Sequence, residues 1–188
     1  MRNTKTIIAT ALILVVIYPV SDRLFAQKMY KSKLGSVSVT TTYAGMPVTA
    51  HSRKVEMLLN TETSFITLTL QPEDLHTTID SLNRLMQEWM SPIVLNGRLK
   101  PGGIQTTTHP PQTFQFEGTL ELTNDRKIEI NGIGHLEHID DGEELACELA
   151  IYFNVDARGL KLHKDVGQAE DQHLVKVQFF ETVLRTRY

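Results

Sequence analysis

The sequence predicts an all-β protein: an antiparallel barrel of eight strands with one amphipathic helix packed against it. Three observations lead there. From Gly35 onward, apolar and polar residues mostly alternate with a period of two, the pattern of a sheet with one dry and one wet face. Several of the alternating runs are joined by short turns, which makes those neighbours antiparallel. A single stretch, Leu75 to Met90, instead spaces its apolar residues by three and four. Eight antiparallel strands can close on themselves, and the interior then holds one small ligand or fills with side chains.

The first strand runs from Gly35 to Tyr43, with Val37, Val39, Thr41 and Tyr43 on one face, and is rich in β-branched residues. Ala44-Gly45-Met46-Pro47 is a turn. In the second strand, Val48 and Ala50 share one phase while Val55, Met57 and Leu59 share the other. The register must flip near His51-Ser52-Arg53, and a bulge there would also bend the strand as barrel closure requires. Ile66, Leu68 and Leu70 form the dry face of the third strand.

Leu75, Ile79, Leu82, Met86, Trp89 and Met90 then lie on one helical stripe. Pro72 is placed to open the helix, Glu73 and Asp74 suit its first turn, and Pro92 ends it. The expected helix is therefore Pro72 to Met90, and it carries the single tryptophan. Ile93, Leu95, Gly97 and Leu99 make a fourth strand. Lys100 to Gln112, with three prolines and two glycines, reads as a surface loop.

Three strands joined by the turns Asn124-Asp125 and Asp140-Asp141-Gly142 form the centre of the chain. The first carries Phe114, Phe116, Gly118, Leu120 and Leu122 on one face. The second carries Ile128, Ile130, Gly132, Gly134 and Leu136. The third carries Leu145, Cys147, Leu149, Ile151, Phe153 and Val155. Asp156 to Gln172 reads as a second long loop. His173 to Arg185 is the eighth strand, with Val175, Val177, Phe179 and Val183 on one face and Leu174, Phe180 and Leu184 on the other.

The N-terminus has a different logic. Arg2 and Lys5 precede an uncharged, mostly apolar run from Thr6 to Val20, and Leu24-Phe25-Ala26 ends in a small residue. Basic, apolar, then small is the layout of a secretory signal peptide. The apolar run is short of the roughly 20 residues a membrane span needs. The expectation is a signal peptide over 1–26, a single domain over 27–188, no stable membrane span after cleavage, and a periplasmic or secreted protein. The competing reading is an uncleaved anchor. No cysteine lies near Ala26, so lipid attachment there is excluded.

The chain of 188 residues has a net charge of −3. Trimming removes Arg2, Lys5 and Arg23 but only one acid, Asp22, which leaves the domain slightly more acidic. That argues against nucleic acid or an anionic membrane as the main partner. The single cysteine, Cys147, cannot form an internal disulfide and reads as a buried thiol in the dry register of its strand.

Catalytic chemistry finds no constellation. Seven histidines are present, but the closest pair, His135 and His138, falls on opposite faces of a strand. The others lack metal-ligand spacing. There is no nucleophile elbow and no glycine-rich phosphate loop. Cys147 sits mid-strand, a poor place for a reactive thiolate. The acid pairs Asp140-Asp141 and Glu143-Glu144 read as solvated turn residues. The protein is expected not to be an enzyme and to need no cofactor.

The expected interior includes Phe114, Phe116, Leu149, Ile151, Phe153, Val177 and Phe179, with Trp89 near the mouth. Gly132 and Gly134 face the same space and are expected to leave room there.

The run Phe116-Glu117-Gly118-Thr119-Leu120-Glu121-Leu122, followed by Lys127-Ile128-Glu129-Ile130, resembles the YceI-like proteins. These are exported bacterial lipocalin-like proteins that bind polyisoprenoids and related lipids. Ser91-Pro92-Ile93-Val94-Leu95-Asn96-Gly97 looks like the family's Tyr-Pro segment after its helix. Asp156-Ala157-Arg158-Gly159-Leu160 looks like its Asp-Tyr-Gly-Ile stretch. Thr123-Asn124-Asp125-Arg126 stands where the family has a His-Gly-Val-Thr turn. The resemblance spans roughly Gly35 to Leu184. It implies a lipocalin-like barrel and an apolar lipid ligand, an isoprenoid or fatty chain, bound by the residues named above. The alternative is a structural or interaction protein with a filled barrel, acting through its loops at Lys100 to Gln112 and Asp156 to Gln172.

Overall fold

The computed structural model describes residues 29–100, 104, 110–123, 126–140, 145–156 and 174–186. Eight strands follow one another around a closed antiparallel barrel in chain order: β1 (Met29–Tyr43), β2 (Met46–Asn60), β3 (Phe65–Leu70), β4 (Ile93–Lys100), β5 (Gln112–Thr123), β6 (Arg126–Asp140), β7 (Leu145–Asp156) and β8 (Leu174–Thr186). β8 pairs back onto β1, with Val37 opposite Phe179 and Val39 opposite Val177. Closure removes every unpaired sheet edge, the usual liability of antiparallel sheets. A single 3-10 turn (Pro72–Asp74) and the helix α1 (Asp80–Gln87) lie between β3 and β4. They mark one end of the barrel, together with the β1–β2 turn. That turn places Ala44 and Gly45 at φ 50° and 79°, the double positive φ that fits the twist of a two-residue hairpin.

The predicted alternation holds around the wall. Ile66, Leu68, Leu95, Leu99, Phe116, Leu136, Leu149 and Ile151 point inward and are almost wholly buried. The predicted phase flip in β2 is a bulge: Ser52 and Val55, three residues apart, face Val37 and Gly35, two apart. A complementary bulge lies in β1, where Ser32 and Gly35 face Met57 and Val55. It turns Leu34 out to solvent at 76 % exposure. β1 thus begins at Met29, earlier than expected. Tyr30 and Ser32 are inward-facing residues whose alternation the bulge breaks before Gly35.

Two expectations are corrected. The helix does not run from Pro72 to Met90. Leu75 is extended, at φ −82° and ψ 130°. His76 then exchanges two backbone hydrogen bonds of 2.9 Å with His51, which holds the chain out of helical geometry. The helix restarts only at Asp80. Asn83 secures its start: Oδ1 accepts from the Thr77 backbone N–H at 2.8 Å and the Thr77 hydroxyl at 3.0 Å, and Nδ2 donates to the Thr77 carbonyl at 3.0 Å.

Val183 does not share a face with Phe179. β8 carries a bulge, so that Phe179 and Thr182, three apart, face Ile151 and Leu149, two apart. Glu181 there has φ 50°. The phase flips, Thr182 is fully buried in Val183's expected place, and Val183 pairs with Glu148 on the other phase. The bulge frees the Glu181 N–H from the ladder, and the Glu148 carboxylate accepts it at 3.1 Å, replacing the lost ladder partner.

Residues 1–28, most of both predicted loops, the predicted turn at 124–125 and all but Asp140 of the predicted turn Asp140-Asp141-Gly142 lie outside the described residues.

Candidate functional site

The inner wall is organised in rows across the strands. One row runs Phe114, Gly134, Ile151, Phe179, Val37. The next, one step toward the helix end, runs Phe116, Gly132, Phe153, Val177, Val39. All seven strand residues expected to face the interior do so. Phe114, Phe116, Leu149, Ile151, Phe153 and Phe179 are buried and Val177 is half-buried. The rings of Phe116 and Phe153 stack at 6.4 Å, and those of Phe153 and Phe179 at 6.1 Å. Each such pair is worth about 0.5–1.5 kcal/mol beyond the area it buries.

The glycines do not leave open space, contrary to expectation. A Cβ on Gly134 would lie 2.7 Å from Cδ2 of Leu99, so the Leu99 side chain already occupies that room. At Gly132 the obstacle is the backbone of β7, with Tyr152 O at 2.3 Å from such a Cβ. The glycines that seat a ring are Gly97 and Gly118, whose Cβ atoms would stand 2.5 and 2.9 Å from Cζ of Phe116. Around these four glycines the inner wall is thus filled by Phe116, Leu99 and neighbouring backbone.

The helix end is different. Val39, Ile93, Ile128 and Val177 from the strands, with Met86 and Trp89 from α1 and the residues just after it, form a set of half-buried apolar side chains packed on the core. None of the residues of α1 is fully buried; Met86 in it and Trp89 just after it are the side chains that reach the core. Trp89 lies here, packed on the core. Its Nε1–H is buried and has no acceptor, an arrangement that carries a desolvation cost of about 1–3 kcal/mol. Val39, Ile93, Ile128 and Met86 are absent from the expected site. Their spacing matches that of deeper residues, because a period of two reports the face of a strand and not the depth along the barrel.

Cys147 is 1 % exposed, and burial pushes its thiol above its ordinary value, so it stays protonated and unreactive. His135 and His138 take opposite phases: His135 lies opposite Thr113 and Ala150, His138 opposite Cys147. Among the described residues, no group of three His, Cys, Asp or Glu could hold a metal ion, and no helix is long and apolar enough to cross a membrane.

No family model and no curated protein matches the sequence. Solved structures do match the fold. A polyisoprenoid binding domain from Saccharophagus degradans, implicated in plant cell wall breakdown, aligns with a TM-score of 0.60 at 9 % identity, over 86 % of this chain and 99 % of that one. BcnA from Burkholderia cenocepacia aligns with a TM-score of 0.55 at 10 % identity, over 81 % of this chain and 96 % of that one. The likeness is one of architecture, and it bears out the expectation drawn from the strand motifs: the chain has a YceI-like fold.

Proposed function

We propose that the protein is a non-enzymatic binder of an elongated apolar chain, isoprenoid or fatty, admitted at the helix end of the barrel. The observation that carries this reading is the set of half-buried apolar side chains toward the helix end of the barrel. Apolar surface left partly wet inside a barrel is surface that a chain would bury. Each methylene buried is worth about 0.8 kcal/mol, so a ten-carbon chain gains roughly 8 kcal/mol before the costs of association. No polar contact is then needed for useful affinity. The polyisoprenoid binding named for the Saccharophagus domain of the same fold supports the reading.

In this reading Val177 and Trp89 meet the chain first. Phe116, Phe153, Phe179 and Ile151 form the wall it runs along, and Phe114 and Leu149 back that wall. A long chain seats along this wall from the helix end and, to go deeper, displaces the Phe116 ring from above Gly97 and Gly118. A polar head at the near end of the chain would give the Trp89 N–H the acceptor it lacks.

A second reading, a filled barrel that works through its surface, draws on the same Phe116 and Leu99 packing. Native mass spectrometry after mild purification separates the two. A co-purifying lipid, lost when α1 is deleted or unfolded, supports the first; a chain of bare mass from every host and lipid mixture supports the second.

We also propose that the chain is exported and trimmed near Ala26, on the basic, apolar and small layout of its first residues. Mass spectrometry of the N-terminus from an exporting host tests it, and a chain still starting at Met1 in the membrane pellet would favour an anchor.

A further inference from the structure

A cavity of about 500 Å³ lies on the outside of the barrel, across β6, β7, β8 and β1. Its floor is backbone, at Gly132, which has no side chain, and at Phe153 and Val177, whose side chains turn inward. Its two walls are rows of outward side chains about 7 Å apart, the spacing of residues two apart on a strand. In one row Ile133 lies opposite Tyr152 and Tyr152 opposite Gln178. In the other Asn154 lies opposite Lys176, with Asn131 on the β6 side.

Ile133 and Tyr152 are 54 % and 42 % exposed. The carboxamides of Asn131, Asn154 and Gln178, the Tyr152 hydroxyl and the Lys176 ammonium make no side-chain hydrogen bond or ion pair among the described residues. Neighbouring parts of the outer wall behave otherwise. There Thr67 donates to Asn96 at 2.9 Å, Lys127 pairs with Glu121 at 2.9 Å, and Lys100 pairs with Glu117.

We propose that this groove binds a neutral or weakly anionic polysaccharide chain, at a site separate from the barrel interior. The side chains define that class. An exposed phenol ring beside an isoleucine offers a flat apolar platform for the C–H face of a sugar ring. Three carboxamides, each both donor and acceptor, match vicinal hydroxyl groups. The lining holds one cation and no acid, which admits a uronic acid but is far too little charge for nucleic acid in a chain of net charge −3. A peptide strand has nothing to pair with, because the backbone of these strands is already paired around the closed barrel. An apolar chain would leave every one of the free carboxamides unpaired. Three inter-strand steps of about 4.8 Å give a groove about 14 Å long, room for about three sugar rings.

The test is pull-down of the purified full chain on an immobilised panel of cellulose, chitin, xylan, mannan, pectin and peptidoglycan sacculi, followed by titration with soluble fragments of whatever is bound. At least one polysaccharide should be retained. Tyr152→Ala and Gln178→Ala should each weaken binding about tenfold or more, and Tyr152→Phe should keep most of it. Thermal melting reports that the variants fold, and lipid occupancy by native mass spectrometry should not change, because Tyr152 faces away from Ile151 and Phe153. Retention of nothing on the panel overturns the proposal. So does binding that Tyr152→Ala leaves unchanged, or a sedimentation coefficient that falls in Tyr152→Ala, which would assign the groove to a second copy of this chain.

Discussion

The ring of Phe116 occupies the space that a side chain on Gly97 would need, with Cζ 2.5 Å from where its Cβ would stand. Gly97 and Gly118 face each other across β4 and β5, and together they make a seat in the wall for one phenyl ring. Phe116 is 0 % exposed and stacks on Phe153. The seat therefore decides where the aromatic row can sit and how much of the interior it fills.

Gly97→Ala should be costly. The new methyl meets the ring and also Glu117 O at 2.6 Å, and backbone cannot move aside as a side chain can. Chemical denaturation should show a loss of about 3 kcal/mol, the upper part of the overpacking range. Combining it with Phe116→Leu should recover part of that loss, so the double-mutant cycle should give a non-zero coupling.

Gly134→Ala should be mild by comparison. Its nearest obstacle is the end of the Leu99 side chain, and the next is Ala150 O at 3.9 Å. Leu99 can rotate, and alanine lowers the entropy of the unfolded chain. The expected loss is under about 1 kcal/mol by the same denaturation measurement.

Asn83→Ala should loosen the cover over the helix end. It removes the three hydrogen bonds that tie α1 to Thr77. At about 1 kcal/mol net for such a loss, amide exchange in α1 should speed up roughly fivefold while the strands keep their protection. Ligand should enter and leave faster, with a smaller change in affinity.

Cys147 should make the protein less stable in alkali. Burial raises its thiol above the ordinary value, so the folded state holds the proton more tightly than the unfolded state. That contribution is complete below the ordinary thiol range and is lost as pH rises through the raised value. Urea midpoints should fall across this window in the parent and fall less in Cys147→Ala. Ellman's reagent should modify the native thiol far more slowly than the denatured one.

Much of the fold was legible because a period of two survives in nearly every strand. The β2 bulge was legible too, since Ala50 and Val55 cannot share a face without one. The β8 bulge was not: Thr182, buried in the wall, is polar, while Val183 beside it is apolar and sits on the outer phase. The sequence overstates the helix because Leu75 and Ile79 fit a helical stripe equally well, and the His51–His76 pairing that breaks it joins residues far apart in sequence. Burial of the candidate interior residues followed from their phase. Their depth did not, and neither did the ring at the helix end, because depth is set by how the strands stagger around the barrel.

The central claim, that an apolar chain enters beneath α1, is tested most directly through Trp89, the single tryptophan. Its emission should be quenched, saturably, by a long-chain brominated fatty acid or a spin-labelled isoprenoid. Val177→Phe, which narrows the same ring, should weaken that binding about tenfold or more, equivalent to about 1.4 kcal/mol. Quenching that never saturates, or a Val177→Phe variant that binds as tightly as the parent, would contradict the account.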